Sequence, residues 1–362
     1  MDADFAIIGA GMAGASLAAE LAIQAPAAQI VLIEAEQSAG YHATGRSAAF
    51  WTESYGGPDI QPLTSASGKW LRDRGFLKPR TALTIARQGQ EAELEQFGRR
   101  YADLGVRIVH LDRRELEGLI PNLRANWCGG MLEPDCCDID VAALHQHYLG
   151  VARKAGAKLI CAAGLKAAVK MSGGWRLSLG NGQYLRAKIL VNAAGAWADN
   201  VAQMATVKPL SITPYRRTMA QLQMANAVSP DLPLVLDLHE TFYFKPENGR
   251  LWLSPHDETP CGPCDAAPEE VDVATAIARL ESVVDWQVVR VEHRWAGLRS
   301  FAPDRLPIYG FDRHAPQFFW FAGQGGFGIQ TAPAAAKLAA GLLLGQCVGE
   351  VDPSRYSPMR FG

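Results

Sequence analysis

The stretch that decides the fold is DFAIIGAGMAGASLAAELAIQAPAAQIVLIE, residues 4–34. It begins with a short apolar run, residues 4–8, of the kind that forms a buried parallel strand. A glycine-rich turn follows and leads into an Ala- and Leu-rich segment that favours a helix. A second apolar run, residues 29–34, is typical of the next strand. The stretch therefore predicts a β-α-β unit.

The turn Gly9-Ala10-Gly11-Met12-Ala13-Gly14 is a GxGxxG motif between strand and helix. Its first glycine permits a tight turn, its second lets a pyrophosphate approach the backbone, and its third lets helix and strand pack closely. The helix N-terminus adds free N–H groups for the phosphates. Glu34, at the end of the second strand, is placed to accept hydrogen bonds from ribose hydroxyls. The pattern predicts a dinucleotide site at Gly9, Gly11, Ala13, Gly14 and Glu34, without separating FAD from NAD.

The composition narrows the class of protein. A length of 362 residues suggests about two domains. The 35 basic and 37 acidic residues give a net charge of -2, which argues against a nucleic-acid partner or an anionic membrane surface. Seven cysteines are an odd number in a long chain, so a disulfide framework is not expected and a reducing compartment fits better.

The N-terminal segment MDADFAIIGAGMAG carries acids where a signal peptide carries positive charge. No apolar run approaches the roughly 18 residues of a membrane-spanning helix. We therefore expect a cytoplasmic protein with no integral membrane segment. Cys261 and Cys264 form a CxxC pair in a proline-rich segment with no second pair or spaced histidines, so no metal site is predicted.

Strand and helix signals follow along the rest of the chain. The triplet 180–182, GNG, lies between two apolar runs and predicts a β-hairpin, and residues 246–249 predict the turn of another. The segment 256–270 is polar and proline-rich, which is typical of a surface loop. A helix is expected from Thr331 to about Gln346, with Thr331 as its N-cap. Both ends of the chain thus indicate a nucleotide-binding sheet, with a strand-rich block inserted between them.

Four separated segments carry a family resemblance: GYHATGRSAAFW (40–51), VNAAGAWAD (191–199), WAGLRSFAPDRLPIYG (295–310) and FAGQGGFGIQTAPA (321–334). Together they resemble the D-amino-acid oxidase and glycine oxidase family of flavoproteins and, within it, the bacterial D-arginine dehydrogenases. The resemblance implies an α/β fold with a Rossmann-like, GR2-type FAD domain formed by residues 1–85, 140–208 and 300–362. A mainly antiparallel sheet with helices, from residues 86–139 and 209–299, would form the substrate domain.

The resemblance also implies a non-covalently bound FAD. Small residues at 193–195 let the backbone lie close to a flat cofactor. The helix expected after Thr331 places its positive dipole end near the negative charge of a reduced flavin. Beside the nucleotide-loop residues, the positions matching the family's FAD contacts are Ala43, Thr44, Gly45, Arg46, Ser47, Ala48, Leu165, Ala194, Gly195, Trp197, Gly325, Gly326, Gly328, Ile329, Gln330 and Thr331.

The substrate side is inferred in the same way. Arg299, Arg217, Tyr243 and Tyr55 match positions that surround the substrate in D-arginine dehydrogenases. The planar fork of an arginine suits the two oxygens of an α-carboxylate, and tyrosine hydroxyls complete such a receptor. The resemblance adds a set of pocket residues: Phe50, Thr52, Ala82, Phe327 and Gly326.

Two departures from the resemblance change the expected substrate. Phe50 stands where the D-arginine dehydrogenases have a histidine, and Ala82 where they have a glutamate suited to a guanidinium. Without that carboxylate, a guanidinium would be buried uncompensated. Phe50, Trp51 and Phe327 would instead form an apolar wall. We therefore expect a D-amino acid with an apolar or aromatic side chain, or a secondary amine such as a cyclic imino acid, and not D-arginine.

The implied reaction is oxidative deamination. Arg299, Arg217 and Tyr243 would hold the carboxylate while a hydride passes from Cα to flavin N5, and water would hydrolyse the imino acid to a 2-oxo acid. Reoxidation by O2 or by a quinone or dye stays open, and no general base is evident beyond Tyr55 or water.

Two alternatives also stay open. One is oxidation of a secondary amine (glycine, sarcosine or a proline-like compound) or of a 2-hydroxy acid, although Phe50 leaves no histidine there to act as the base for a hydroxyl. The other is a non-catalytic flavin-binding subunit, against which the arginine pair argues.

Overall fold

The first sheet is built around the predicted β-α-β unit. The computed structural model describes residues 2–346 and 351–361. In it, β1 (Asp2–Ile8) leads through α1 (Met12–Gln24) to β2 (Ile30–Ile33). The two strands pair in parallel, with Phe5 opposite Ile30. Their apolar runs are buried, as expected for a parallel sheet covered on both faces. The β-α-β prediction is confirmed.

The remaining strands of this sheet come from the middle and the C-terminal part of the chain. They are β9 (Lys158–Ile160), β10 (Leu165–Met171), β11 (Gly174–Leu179), β12 (Tyr184–Asn192), β19 (Ile308–Phe311) and β20 (Phe318–Ala322). The strand order is β10-β11-β12-β1-β2-β9, and β20, with β19 beside it, also pairs with β12. On one face α1 packs against two helices, α5 (Val141–Lys154) and α8 (Ala332–Leu344).

The second sheet is mainly antiparallel. Its strands are β5 (Ala82–Arg87), β6 (Val109–Asp112), β7 (Trp127–Glu133), β13 (Thr213–Met224), β14 (Leu234–Asp237), β15 (Tyr243–Glu247), β16 (Arg250–Ser254), β17 (Thr259–Pro260), β18 (Val288–Phe301) and β21 (Gln324–Gly325). They run in the order β21-β18-β13-β16-β15-β14-β5-β7-β6, with β17 beside β13. The helices α3 (Glu91–Ala102), α4 (Arg113–Leu119) and α7 (Glu270–Val283) pack on it.

A small third sheet joins β3 (Phe50–Trp51), β8 (Cys137–Ile139) and β4 (Leu77–Pro79). The remaining helices are α2 (Gln61–Asp73) and α6 (Ala198–Met204). β5 lies in the second sheet, between β14 and β7, although the first of its residues fall in the segment 1–85 that the sequence assigns to the FAD domain. The domain boundaries themselves stay a prediction. Within residues 2–346 and 351–361, none of the helices has the length and apolar character that a bilayer crossing needs.

Both predicted hairpins are confirmed. β11 and β12 pair antiparallel across a turn in which Gly182 has φ +82°. β15 and β16 turn at Asn248 (φ +50°) and Gly249 (φ +75°), the left-handed pair that favours Asn-Gly in a two-residue turn.

The long pair formed by β13 and β18 positions two arginines. It extends from Thr213 opposite Phe301 to Met224 opposite Val288. Arg217 lies opposite Gly297, two residues from Arg299, and side chains alternate between faces along a strand. Both arginines therefore project from the same face. β21 pairs with the end of β18 and follows directly after β20 of the first sheet, so this face meets the nucleotide-loop side of the molecule.

Candidate active site

A cavity of about 360 Å³ lies where the two sheets meet. The predicted site residues that line it are Gly9, Gly11, Ala13, Glu34, Ala43, Thr44, Arg46, Ser47, Ala48, Leu165, Ala194, Gly195, Trp197, Arg217, Tyr243, Arg299, Gly325, Gly326, Gly328 and Ile329. The predicted site residues outside this lining are Gly14, Gly45, Phe50, Thr52, Tyr55, Ala82, Phe327, Gln330 and Thr331. The structure thus brings most of the expected FAD contacts together around one cavity. Most of the residues expected to contact the substrate side chain do not line this cavity.

The glycines of the nucleotide loop let its backbone lie close to the cavity. Gly9 has φ +100°, and a Cβ there would lie 2.5 Å from the Ala193 carbonyl oxygen. A Cβ on Gly14 would lie 1.8 Å from the Gly9 carbonyl oxygen, so this glycine serves the close packing of helix on strand. At the helix start, Met12 N donates to Thr44 Oγ1 over 2.9 Å. The loop therefore leaves room for a bound group at the N-terminus of α1, whose dipole favours phosphate.

Glu34 supports the loop and also faces the cavity. Its carboxylate accepts hydrogen bonds from Ala10 N at 2.9 Å and from Glu36 N at 3.0 Å. A carboxylate has about four acceptor positions, so capacity remains for two ribose hydroxyls. On the other side of the loop, the buried His145 Nε2 lies 2.9 Å from the Ala10 carbonyl oxygen and holds the turn from behind.

A buried polar atom without a protein partner marks the same end of the cavity. The His42 Nε2 atom pairs with Glu36 at 2.9 Å, and the ring packs on Trp197 with centroids 4.6 Å apart. His42 Nδ1 is buried and makes no hydrogen bond to any of the residues that the structure describes. Because His42 lines the cavity, a polar ligand would satisfy this nitrogen. The glycine loop, Glu34 and His42 together fit a dinucleotide.

Arg46 connects the segment 43–48 to the second sheet. Its Nη1 donates to the carbonyl oxygens of Ala266 and Ala296, and its Nη2 pairs with Asp265. The hydrogen bond from Arg46 lowers the pKa of the Asp265 carboxyl. Arg46 thus holds the segment around Asp265 next to the cavity that Arg46 itself lines.

The helix α8 begins behind the cavity. Thr331 occupies the predicted N-cap position, but its hydroxyl donates to the Phe327 carbonyl oxygen at 2.8 Å and makes no capping hydrogen bond. The prediction that Thr331 is the N-cap is confirmed, although its side chain binds the preceding turn and does not cap the helix. Gln330 Nε2 donates to Thr64 Oγ1 at 3.0 Å and lies 3.3 Å from the Tyr55 carbonyl oxygen, so it braces the wall of the site.

Arg217 is buried and already has anionic neighbours. Its Nε donates to the Asp257 carbonyl oxygen at 2.8 Å, and its Nη2 lies 3.3 Å from Glu258. Glu258 is shared with Arg305 at 2.7 Å. Among the described residues the buried Nη1 atom of Arg217 has no hydrogen-bond partner, and the residue lines the cavity. Arg217 is therefore a second cation at the cavity wall with an unfilled donor.

Arg299 differs from Arg217 in having no carboxylate partner within the described part of the chain. Its Nη1 donates to the hydroxyl of Tyr55, and its side chain lines the cavity. A Cβ on Gly326 would lie 2.8 Å from the same Nη1, so the absence of a side chain at this position admits the guanidinium. Among the described residues Arg299 therefore makes no direct ion pair, and the charge of Glu258 acts on it only from beyond ion-pair distance.

An aromatic cluster closes the site behind the two arginines. Phe50 contacts Tyr55 and Tyr243 edge-on, with ring centroids 5.2 and 5.8 Å apart. Ala82 is buried in the same cluster, together with Leu234 and Leu236. The Tyr243 hydroxyl lies 3.1 Å from the sulfur of Met219. Phe50 and Ala82 are thus part of an apolar region that adjoins the cavity without opening into it.

The segment 255–258 forms another wall of the site, although the sequence predicts a surface loop from residue 256 onward. His256 Nε2 lies 3.3 Å from the Tyr55 hydroxyl, and Glu258 reaches Arg217. Burial raises the pKa of the Asp257 carboxyl, which accepts hydrogen bonds from the nitrogen and hydroxyl of Thr218. Burial and then the charges of Arg217 and Arg299 lower the pKa of His256 far below its ordinary value. The crowding of three titratable residues directly after a strand was the signal available in the sequence.

A second unpredicted residue, Glu133, fixes the loop that carries Tyr55. It is almost fully buried and accepts hydrogen bonds from Thr52 Oγ1 and Ser54 Oγ, both at 2.6 Å, and from Glu53 N at 2.7 Å. Thr52 therefore faces this carboxylate and not the cavity. Nothing in the sequence near Glu133 marks it, because its partners lie about 80 residues earlier.

A nucleotide-binding sheet beside a mainly antiparallel sheet, with a cavity that carries a dinucleotide loop and two arginines, is the arrangement of a flavoprotein. The family described as "DAO: FAD dependent oxidoreductase" matches residues 4–342. The chain belongs to this family, and its cofactor is FAD.

Curated relatives are distant in sequence. The chain is 27% identical over 250 residues to hydrogen cyanide synthase subunit HcnC of Pseudomonas aeruginosa, covering 62% of this chain and 58% of that protein. It is 26% identical over 403 residues to human mitochondrial dimethylglycine dehydrogenase, covering 98% of this chain and 44% of that protein. The chain thus spans about half the length of the curated relatives it matches.

Solved structures support the fold. Glycine oxidase from Geobacillus kaustophilus superposes with a TM-score of 0.85 at 23% identity and covers 98% of both chains. L-proline dehydrogenase from P. horikoshii superposes with a TM-score of 0.86 at 20% identity, over 99% of this chain and 98% of that one. The predicted α/β fold is confirmed, whereas a specific likeness to D-arginine dehydrogenases stays a prediction.

Proposed function

We propose that this protein is an FAD-dependent enzyme that oxidises the Cα–N bond of a D-amino acid with an apolar or aromatic side chain. The observation that carries this proposal is Arg299, a cation on the cavity wall with no carboxylate partner among the described residues. The product would be an imino acid, which water hydrolyses to a 2-oxo acid.

The charge balance of the cavity supports a substrate with a single carboxylate. Arg217 makes a direct ion pair with Glu258 and lies close to Asp257. Among the described residues Arg299 makes no direct ion pair and donates to the neutral Tyr55 hydroxyl, while Glu258 acts on it from a greater distance. A carboxylate bound by the free edge of Arg299 would supply the direct ion-pair partner, with the unpartnered Nη1 of Arg217 as a second donor.

The surroundings of Phe50 and Ala82 support an uncharged side chain. This region is apolar and includes Leu234 and Leu236. The region adjoins the cavity, so a guanidinium lying against it would lose hydration without gaining a carboxylate from it, which costs several kcal/mol. D-Arginine is therefore disfavoured. The D configuration itself is supported by the resemblance to D-amino-acid oxidases.

The division of labour follows from these contacts. Arg299 and Arg217 bind the carboxylate, Tyr55 holds Arg299, and the aromatic cluster excludes water from the reacting carbon. When bound, FAD supplies the acceptor for the two electrons that the substrate loses. We propose that it is held without a covalent bond by the glycine loop and Glu34. The electron acceptor that regenerates it is O2 or a quinone.

A second candidate substrate class is a small secondary or tertiary amino acid, such as sarcosine, dimethylglycine or proline. One observation favours it: Phe50, Tyr55 and Tyr243 fill the space behind the arginines, so little room remains for a large side chain. The names of the relatives, dimethylglycine dehydrogenase and L-proline dehydrogenase, point to the same class.

The deciding experiment is anaerobic bleaching of the flavin's visible absorbance by a panel of substrates. The panel holds D- and L-forms of alanine, phenylalanine, proline and arginine, with sarcosine, dimethylglycine and lactate. Rapid bleaching by apolar D-amino acids, with none by D-arginine, is the expected result. Preferential bleaching by sarcosine or dimethylglycine would establish the second class, and bleaching by lactate alone would contradict both. Air admitted afterwards separates an oxidase from a dehydrogenase.

A further inference from the structure

The hydroxyl of Tyr55 lies between a charged and an uncharged neighbour. Arg299 donates to it from Nη1, and His256 Nε2 lies 3.3 Å away on another side. A phenol oxygen that accepts from a guanidinium must direct its own proton elsewhere. We propose that His256 is a positioning residue whose Nε2 accepts the Tyr55 proton, so that Tyr55 stays an acceptor for Arg299 and fixes that guanidinium for the substrate carboxylate. This inference rests on the proposed function.

The backbone holds His256 in an unusual conformation for this purpose. His256 directly follows Pro255, just beyond the end of β16, and has φ +52°, in the left-handed region that side chains other than glycine rarely occupy. Its N–H donates to Ser254 Oγ at 3.1 Å, and Arg279 donates to the Pro255 carbonyl oxygen. Such backbone strain persists only where neighbouring contacts enforce it, and it is concentrated at functional sites.

The imidazole ring is also held by the aromatic side chains of the site. Its centroid lies 6.2 Å from that of Tyr55 and 5.6 Å from that of Tyr243, with interplanar angles of 79° and 81°. Edge-on contacts of this kind are favourable for aromatic rings and stabilise the position of the imidazole. They support the approach of His256 Nε2 to the Tyr55 hydroxyl.

The charge state of His256 fits an acceptor. Partial burial and the surrounding cations lower its pKa, so the ring is neutral at physiological pH. A protonated imidazole would donate from Nε2 and would compete with Arg299 for the Tyr55 oxygen. The titratable and charged groups that face His256 are Tyr55, Tyr243, Arg217, Arg299, Arg279 and Arg305.

The first test measures carboxylate binding by the holoprotein. Benzoate serves as a probe that is not oxidised, and its Kd is read from the change it causes in the flavin's visible spectrum. His256→Leu removes the acceptor and is expected to raise the Kd about tenfold. His256→Gln keeps an acceptor oxygen and is expected to restore most of the affinity. Equal affinities for wild type and His256→Leu would overturn the proposal.

A double-mutant cycle with Tyr55→Phe separates positioning from a general structural effect. Without the Tyr55 hydroxyl, His256 has no proton to accept, so His256→Leu should then change the benzoate Kd by less than about twofold. A tenfold loss in the Tyr55→Phe background would show that His256 acts by another route. Unchanged FAD content and Tm in each variant keep the comparison valid.

A second measurement needs no substrate. Nitrogen-15 NMR of histidine-labelled holoprotein reports the tautomer of His256, whose signal is assigned by its loss in His256→Gln. The expected state is neutral with the proton on Nδ1, and the Nε2 signal should move in Tyr55→Phe. An Nε2–H tautomer overturns the proposal. If the wild type binds no benzoate but the NMR result is as expected, the carboxylate receptor of the proposed function fails while the His256–Tyr55 hydrogen bond stands.

Discussion

The two ends of the cavity are built by different means. The nucleotide end is centred on residues 9–34, a single continuous stretch that brings backbone and one carboxylate to the cavity, with His42 and Trp197 beside it. The substrate end gathers side chains from β13, β18 and the segments 52–55 and 255–258, and offers buried charges. The first end depends on the absence of side chains at a few glycines, whereas the second depends on the balance between charges. Substitutions should therefore act on FAD content at one end and on substrate recognition at the other.

The largest effect is expected for Gly14→Ala at the nucleotide end. The new Cβ would meet the Gly9 backbone 1.8 Å away, and neither backbone segment can yield without distorting the loop. We expect loss of bound FAD and destabilisation by about 3 kcal/mol, as for an overpacked core. The ratio of flavin to protein absorbance and a urea titration measure the two effects.

The matched control is Gly150→Ala, in the helix α5. A Cβ at Gly150 meets nothing within 4 Å, so FAD content should be unchanged and the helix slightly stabilised. Stoichiometric FAD in Gly14→Ala would refute the assignment of this glycine to the nucleotide cradle.

The next largest effect should follow from Arg299→Met at the substrate end. Removing this cation should lower kcat/KM by at least about a hundredfold while FAD stays bound, because the substrate carboxylate would be buried without a partner. Steady-state kinetics with the best substrate of the panel, together with the flavin spectrum, provide the measurement. Arg294→Met is the control on the same strand, since Arg294 is exposed, and its kinetics should match the wild type. A normal kcat/KM in Arg299→Met would remove the basis of the proposed function.

A smaller effect is expected for Glu133→Gln, a change in the residue that holds the loop 52–54. The amide replaces a buried anion that accepts hydrogen bonds from the loop 52–54, and its NH2 group would face donors. We expect a loss of about 2–3 kcal/mol in the free energy of unfolding and a severalfold rise in the substrate KM. Denaturant unfolding of the holoprotein and steady-state kinetics test this. Glu95→Gln, on an exposed helix face, is the control, and the idea is wrong if both variants behave alike.

The smallest effect is a change in how stability depends on pH, and it concerns Glu292, which lies away from both ends of the cavity. The hydrogen bond from Arg250 lowers the pKa of Glu292 from its ordinary 4.5 to about 2. A carboxyl whose pKa is depressed by folding stabilises the protein above its unfolded pKa, and this contribution is lost as pH falls toward the folded pKa. The stability difference between wild type and Glu292→Gln should therefore narrow between about pH 4.5 and about pH 2. A difference that stays constant over this range, measured by urea unfolding at several pH values, would contradict the assignment.

The contrast between the two ends also explains what could be predicted from the sequence. Gly9, Gly14 and Glu34 belong to one local pattern, whose spacing alone places them around a nucleotide. Arg217 and Arg299 came only from the family resemblance, since isolated arginines are usually surface residues. Roles for His256 and Glu133 could not be predicted because their partners are distant in the chain. Tyr55 lies 201 residues from His256, and Thr52 lies 81 residues from Glu133. The fold brings these loops together, and the local sequence does not show which residues they will contact, although the three titratable residues 256–258 are a signal that the segment is unusual.

The packing of α1 against α8 has a consequence for biosynthesis. The β-α-β unit is made before α8, yet its helix is covered by α8, which ends at Leu344, and its sheet is completed by β20. During synthesis an apolar face of α1 therefore stays exposed until more than 300 further residues, as far as α8, have emerged from the ribosome. Contacts of such high sequence separation slow folding and leave the nascent chain prone to aggregation. The yield of folded protein should accordingly depend on chaperones and on the supply of FAD during synthesis.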